Sequence, residues 1–205
     1  MGDNSLNTNN VIMAGEICSE MELSHKSYGE GFYSFFLKVK RLSGYSDIIP
    51  IMVSERLIFN MDIHKGLYVL INGQLRTYNK IEEDRNKLVI TIFAREIRVL
   101  LDEVVRNPNR IYLEGFICKP PIYRLTPLGR EICDIMLAVN RAYNKSDYIP
   151  CIAWGRNAKF SQSLEVGAHI KIWGRIQSRE YKKKINDEKV EVKTAFEVSI
   201  LKMEG

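Results

Sequence analysis

The chain is written twice. A shift of 100 residues lays Val11–Arg56 over Ile111–Arg156 without a gap. Identical residues fall at Gly15/Gly115, Ile17/Ile117, Cys18/Cys118, Gly29/Gly129, Leu37/Leu137, Val39/Val139, Arg41/Arg141, Ser46/Ser146, Asp47/Asp147, Ile49/Ile149, Pro50/Pro150 and Arg56/Arg156. One extra residue then enters the second copy, and the match resumes at Gly66/Gly167, Ile71/Ile172 and Gly73/Gly174. Self-similarity at a fixed offset marks tandem modules, so the fold must be one that about 100 residues complete. The join falls in Leu101–Asn109, and Pro108 marks it best. The expected modules are residues 1–104 and 105–205.

Each copy has the same order of apolar runs. A first strand is predicted over Val11–Ile17 and Ile111–Ile117, and a second over Phe32–Lys40 and Ile132–Asn140. The third is Asp47–Arg56 and Asp147–Arg156, where apolar residues alternate as on a half-buried strand. A short helix follows near Arg56–Ile63 and Asn157–Leu164. The fourth strand covers Tyr68–Arg76 and His169–Gln177. Polar hairpin tips, Asn79–Asn86 and Lys182–Glu188, lead to a last strand near Leu88–Phe93 and Val190–Ile200. Five strands with a helix between the third and fourth is the order of an oligonucleotide-binding (OB) barrel. The expected fold class is all-β: two tandem five-stranded Greek-key barrels.

Charge separates the copies. Residues 1–105 hold 12 Lys and Arg against 14 Asp and Glu, and residues 106–205 hold 18 against 11. The first module is thus slightly acidic and the second carries a net +7, which favours a polyanionic partner. No apolar run approaches the roughly 20 residues that cross a bilayer, and Met1–Asn10 lacks a signal-peptide pattern. A cytoplasmic protein without membrane association is expected. Cys18, Cys118, Cys133 and Cys151 form no C-x-x-C pair and lie in apolar runs, so buried reduced thiols are predicted. His25, His64 and His169 show no ligand spacing, and no metal or other cofactor is expected. The chain has no nucleophile elbow, phosphate loop or H-E-x-x-H motif, and Asp134 alone makes no acid–base pair. It is not read as an enzyme.

The second copy holds aromatics that the first lacks. Tyr148 and Trp154 share one face of the third strand, Tyr143 follows Arg141 at a turn, and Tyr181 lies between Arg179 and Lys182-Lys183-Lys184. Bases stack on such rings while cations follow the phosphates. In the first copy the matching positions are Ser43, Ile48, Ser54 and about Lys80; none is aromatic, although Tyr45 and Tyr78 lie nearby. The first barrel is therefore read as degenerate in stacking aromatics.

Several stretches of the second copy resemble the bacterial single-stranded DNA-binding protein family, in a tandem two-barrel form. They are Asn109–Gly115, Thr126–Ile132, Met136–Asn140, Asp147–Arg156, and Val166-Gly167 followed by Ile172–Ile176; Gly73–Thr77 adds a weaker match in the first copy. By motif match, the resemblance puts the family's stacking positions on Tyr143, Tyr148, Trp154 and Tyr181. Arg130, Arg141, Arg156, Arg179 and Lys182, Lys183 and Lys184 are the candidate phosphate contacts. It further implies a homodimer with four barrels, joined by pairing of the first strands, where Ile12 and Tyr112 hold matching positions. Trp173, of opposite parity to Ile170, Ile172 and Ile176, is read as an outward Trp that seals a subunit contact in preference to stacking a base. The sequence stops at Leu201–Gly205, directly after the last strand, which departs from family members that recruit replication partners through an acidic tail and puts recruitment by that route in doubt.

The expected function is sequence-tolerant binding of single-stranded DNA, or RNA, in replication, repair or recombination. The alternative is a primosomal-type protein–protein adapter on degenerate barrels. It is motivated by the acidic first copy and its aliphatic face, Ile48-Pro50-Met52.

Overall fold

The computed structural model describes residues 8–82, 85–101, 105–184 and 190–205; side chains 81, 82, 85, 86, 182–184 and 190 lie outside the described ones. The first half contains β1 (Asn9–Ile17), β2 (Glu22–Ser27), β3 (Glu30–Lys40), β4 (Ser46–Ser54), α1 (Glu55–Ile58), β5 (Tyr68–Glu82) and β6 (Arg85–Val99). The second half repeats the order as β7 (Asn109–Ile117), β8 (Ile122–Leu125), β9 (Glu131–Arg141), β10 (Lys145–Trp154), α2 (Arg156–Gln162), β11 (His169–Lys184) and β12 (Val190–Glu204).

Each half closes on itself. Strands run β3-β4-β6-β5-β1 and return to β3, and β9-β10-β12-β11-β7 returns to β9. The pairs β4–β6 and β10–β12 are parallel, and the other pairs are antiparallel. This is the Greek-key OB barrel, twice. Period-two alternation drives it: Phe35, Leu37 and Val39 on β3, and Ile49, Ile51 and Val53 on β4, point inward and are buried. Leu137, Val139, Ile149, Cys151 and Ala153 do the same in the second barrel. Closure requires Gly15 and Gly115. A Cβ there would sit 2.4 Å from the Lys38 carbonyl oxygen and 2.3 Å from that of Ala138, where β1 meets β3 and β7 meets β9. Pro50 and Pro150 come just before the two-residue parallel ladders, so each has a ladder partner on one side only.

Four expectations need correction. The predicted polar hairpin tips are largely strand: β5 pairs with β6 out to Glu82 and Arg85, and β11 with β12 out to Lys184 and Val190. Strands β2 and β8 extend each barrel beyond the five expected strands. Arg156 opens α2 instead of closing a strand. Finally, the first strands pair within one chain: β1 runs antiparallel to β7, with Asn9 opposite Leu113 and Met13 opposite Asn109. That edge is filled internally rather than by a second copy.

The β1–β7 pairing is arranged as a pseudo-dyad, because Val11 faces its own repeat equivalent Ile111. The barrels also clasp each other reciprocally. The Asp47 carboxylate accepts from the Ser178 backbone N–H at 2.7 Å and the Ser178 hydroxyl at 2.8 Å, across the interface on β11. The Asp147 carboxylate accepts from the Thr77 N–H on β5 at 2.7 Å. Both aspartates are buried. Arg41 binds Asp47 and donates to the Ser178 carbonyl at 3.0 Å, and Arg76 reaches Asp147 at 3.0 Å. Burial alone would raise the Asp47 carboxyl. The Arg41 guanidinium and the Ser178 donors outweigh burial and hold it below the usual carboxylate range. Burial lowers Arg76 from the usual arginine value, and the bond to Asp147 works against that shift.

Candidate nucleic-acid interface

The outer face of the second barrel is built on β9, β10, β12 and β11. Since β10 alternates, burying Ile149, Cys151 and Ala153 inside turns Tyr148 and Trp154 outward. Tyr148 is 52% exposed and Trp154 37% exposed. Both are positioned. The Tyr148 backbone N–H donates to Thr77 Oγ1 of the first barrel at 2.9 Å. The Trp154 indole N–H donates to Ser199 Oγ on β12 at 3.2 Å. Tyr181, 39% exposed, stands opposite Lys193 on the β11–β12 arm, and Arg179 stands opposite Ala195. Tyr143 is 94% exposed at the tip of the β9–β10 hairpin, in the left-handed region at φ 61°.

The cations are distributed unevenly. Arg130 and Tyr143 flank opposite ends of the eleven-residue β9, about 35 Å apart at the usual strand rise. Arg130 and Arg156 are exposed near the Trp154 end. Arg141 lies at the Tyr148 end, 3.6 Å from the buried Asp147 carboxylate, so it has a structural partner as well as an open flank. Arg179 is 3.7 Å from Glu197. The side chains of Lys182, Lys183 and Lys184 lie outside the described ones. The site residues thus form a track along β9–β10 with a second limb on β11–β12, rather than one compact pocket.

Sequence reasoning missed three members of this face. Arg175 and Gln177 share the outward parity of Arg179 and Tyr181 along β11, and that parity could have found them. The Arg175 Nε atom is buried with no hydrogen-bond partner among the described residues. Arg124 on β8 pairs with Asp134 at 2.8 Å, which gives that lone strand carboxylate a local role. Trp173 has the same parity as Arg175 and Gln177, farther along β11 where that strand meets β7. Its ring packs on Tyr112 at 5.2 Å beneath the Lys202 ammonium at 4.6 Å.

The first barrel's face carries its rings at other positions. Ile48 and Ser54 do stand at the matched β4 positions, but the face is not stripped of rings. Phe32 on β3 and Phe93 on β6 have centroids 6.0 Å apart, and His25 on β2 stacks on Phe32 at 4.9 Å and 9°. Phe36 and Tyr78 are exposed nearby on β3 and β5. The cysteines are free: Cys133 and Cys151 are buried, and Cys18 and Cys118 are half-buried.

Among the described residues, no helix is long and apolar enough to cross a membrane. The same residues contain no group of three or more His, Cys, Asp or Glu able to hold a metal ion.

Over the whole chain, the fold is similar to that of the wild-type single-stranded DNA binding protein from Thermus aquaticus, with TM-score 0.75 and 19% identity, covering 96% of this chain and 91% of that one. A deletion mutant of that protein matches with TM-score 0.71 and 20% identity, covering 96% and 93%. At that identity the likeness establishes the fold. Sequence relatives match over 80 residues. Single-stranded DNA-binding protein 2 of Listeria innocua is 35% identical, covering 36% of this chain and 50% of its own length. Single-stranded DNA-binding protein A of Bacillus subtilis is 35% identical, covering 36% and 46%. The chain therefore spans about half the length of the curated relatives it matches. Residues 108–204, the second barrel, match the model of the Single-strand binding protein family.

Proposed function

We propose that this chain binds single-stranded DNA, independently of sequence, with the second barrel as the main binding module. One observation carries the proposal. In the barrel that matches the Single-strand binding protein family, Tyr148 and Trp154 stand exposed on one outer face, the Tyr148 backbone held by Thr77 and the Trp154 indole by Ser199, with Arg179 and Tyr181 on the adjoining β11–β12 arm. Stacked bases contribute about 1–3 kcal/mol each and need no base-edge contacts. The phosphates are left to Arg130, Arg141, Arg156, Arg179 and the Lys182–Lys184 run.

The modules are taken as residues 1–104 and 105–205, acting in DNA replication, repair or recombination. Stacking platforms accept ribose as well as deoxyribose, so competition between a thymidine and a uridine polymer at fixed salt defines the preference. A homodimer with four barrels belongs to this reading. With β1 and β7 paired internally, the Trp173–Tyr112 face is the surface for it, and light scattering would give about twice 23.7 kDa. The test of the binding itself is an anisotropy titration of a labelled thymidine oligomer at low salt. The wild type binds, and the Y148A/W154A double variant binds at least tenfold more weakly. A wild type without affinity overturns the proposal. Such a protein, together with a tight protein partner that survives nuclease treatment, would establish the adapter reading motivated by the aliphatic stretch Ile48-Pro50-Met52.

A further inference from the structure

We infer that the first barrel carries a second single-stranded nucleic-acid groove, whose stacking rings have moved from the central strand to its two neighbours. The inference rests on the single-strand reading of the second barrel and extends it to a surface that the family match does not reach.

The register makes the exchange explicit. In the second barrel Trp154 on β10 is flanked by Ile132 on β9, its antiparallel partner, and by Ser199 on β12, which holds the indole. In the first barrel Ser54 occupies the position of Trp154, and its partner on β3 is Phe32. The parallel ladder puts Phe93 beside Met52, as it puts Ser199 beside Ile152. One large ring flanked by Ile and Ser has become one Ser flanked by two large rings. The apolar surface remains and its source strands have changed. His25, exposed, covers one face of Phe32 and leaves its own outer face to solvent.

An open groove of about 640 Å³ runs along this face, bounded in part by Met52, Tyr78, Phe93, Arg76, Arg95 and Arg141. Three of these six are arginines, and no Asp or Glu lines the groove among the described residues; Arg76 and Arg141 share the buried Asp147 carboxylate, while Arg95 bonds the neutral Gln74. Arg95, the bulged residue two positions after Phe93, lies 5.5 Å above its ring, which presents cation and ring together. The positive lining is at odds with the acidic total of the first module. It suits a polyanion carrying flat apolar groups, that is, a single strand with its bases exposed. Continuity favours the same ligand. Arg141 belongs to the second barrel, and Thr77, also on the groove wall, accepts the Tyr148 N–H bond. One strand can therefore pass from Tyr148 over Arg141 to Phe93.

The test uses the full chain and two thymidine oligomers. One has about 12 nucleotides, enough for a single barrel, and the other about 40, enough to cross both. Replacing Phe93→Leu together with Arg95→Gln lowers affinity for the long oligomer about tenfold, the size of one lost stacking contact. Quenching of Trp154 by the short oligomer is unchanged. Arg95→Gln alone, at an exposed bulge, lowers long-oligomer affinity about threefold and guards against a folding defect in the double variant. Long-oligomer affinity within about twofold of wild type in both variants, with Trp154 still quenched, overturns the second groove and leaves the second-barrel reading intact. If the short oligomer fails to quench Trp154 in the wild type, the second-barrel reading fails. In that case, anisotropy with the long oligomer still decides the groove: binding that the double variant removes upholds it, and no binding overturns it. A protein that prefers an acidic peptide to either oligomer also overturns it.

Discussion

The two barrels share a frame and differ in their faces. The residues identical between copies are mostly those that closure and docking demand. Gly15 and Gly115 allow a close backbone approach, Ile49 and Ile149 fill the cores, and Asp47 and Asp147 clasp the opposite barrel. Arg41 and Arg141 persist beside those aspartates. The outward positions of β4 and β10 are where the copies part: Ile48 against Tyr148 and Ser54 against Trp154. The duplication therefore works as an internal control, separating residues the fold requires from residues available for binding.

The largest expected effect breaks the frame. Asp47→Asn or Asp147→Asn leaves buried arginine and amide donors short of their acceptor, and either change costs about 3–5 kcal/mol in denaturant unfolding. Asp47 also adds a pH signature. Its folded pKa lies below the unfolded value, so its contribution is present above the ordinary carboxylate range and is lost as pH falls through the folded value. The stability gap between wild type and D47N is therefore full at neutral pH and shrinks below about pH 4. A gap constant down to the acid transition would count against the clasp.

Changes to the faces come next. Tyr148→Ala and Trp154→Ala each weaken binding of a single strand by about 1–3 kcal/mol. Ile48→Ala, at an exposed position, shifts stability and binding by about 0.5 kcal/mol or less; Ser54→Ala shifts binding as little but costs about 0.5–2 kcal/mol of stability, because the half-buried Ser54 hydroxyl caps the following helix and bonds Glu30. Equal losses at the two sets would erase the contrast between the barrels. The smallest effect concerns charge. Arg179→Gln removes one phosphate contact and reduces the slope of log affinity against log salt by about 0.7; an unchanged slope would remove Arg179 from the interface.

Most of the fold was legible because two signals agreed, the 100-residue repeat and period-two alternation. β2 escaped notice because Glu22–Ser27 is exposed almost throughout and shows no alternation. The outer arms of β5 and β11 resembled turns because they are polar beyond the barrel. The clasp was visible only as an unexplained identity. Asp47 and Ser178 are 131 residues apart, and no local pattern connects them. Tyr148 and Trp154 stood out as aromatics at alternating positions within one strand, and Tyr181 as an aromatic flanked by cations. The Phe32–Phe93 cluster could not, because its rings come from different strands and meet only through the β3–β4 and β4–β6 registers.

The most direct test of the contrast makes Trp154 the sole fluorophore of its kind. The chain has two tryptophans, and the second, Trp173, packs on Tyr112 where β11 meets β7. In a Trp173→Phe background, titration with a thymidine oligomer at low salt should quench Trp154 emission to saturation, and added salt should reverse it. Emission that stays unchanged while the oligomer is shown to bind would remove the base from Trp154 and contradict the assignment of the stacking face to the second barrel.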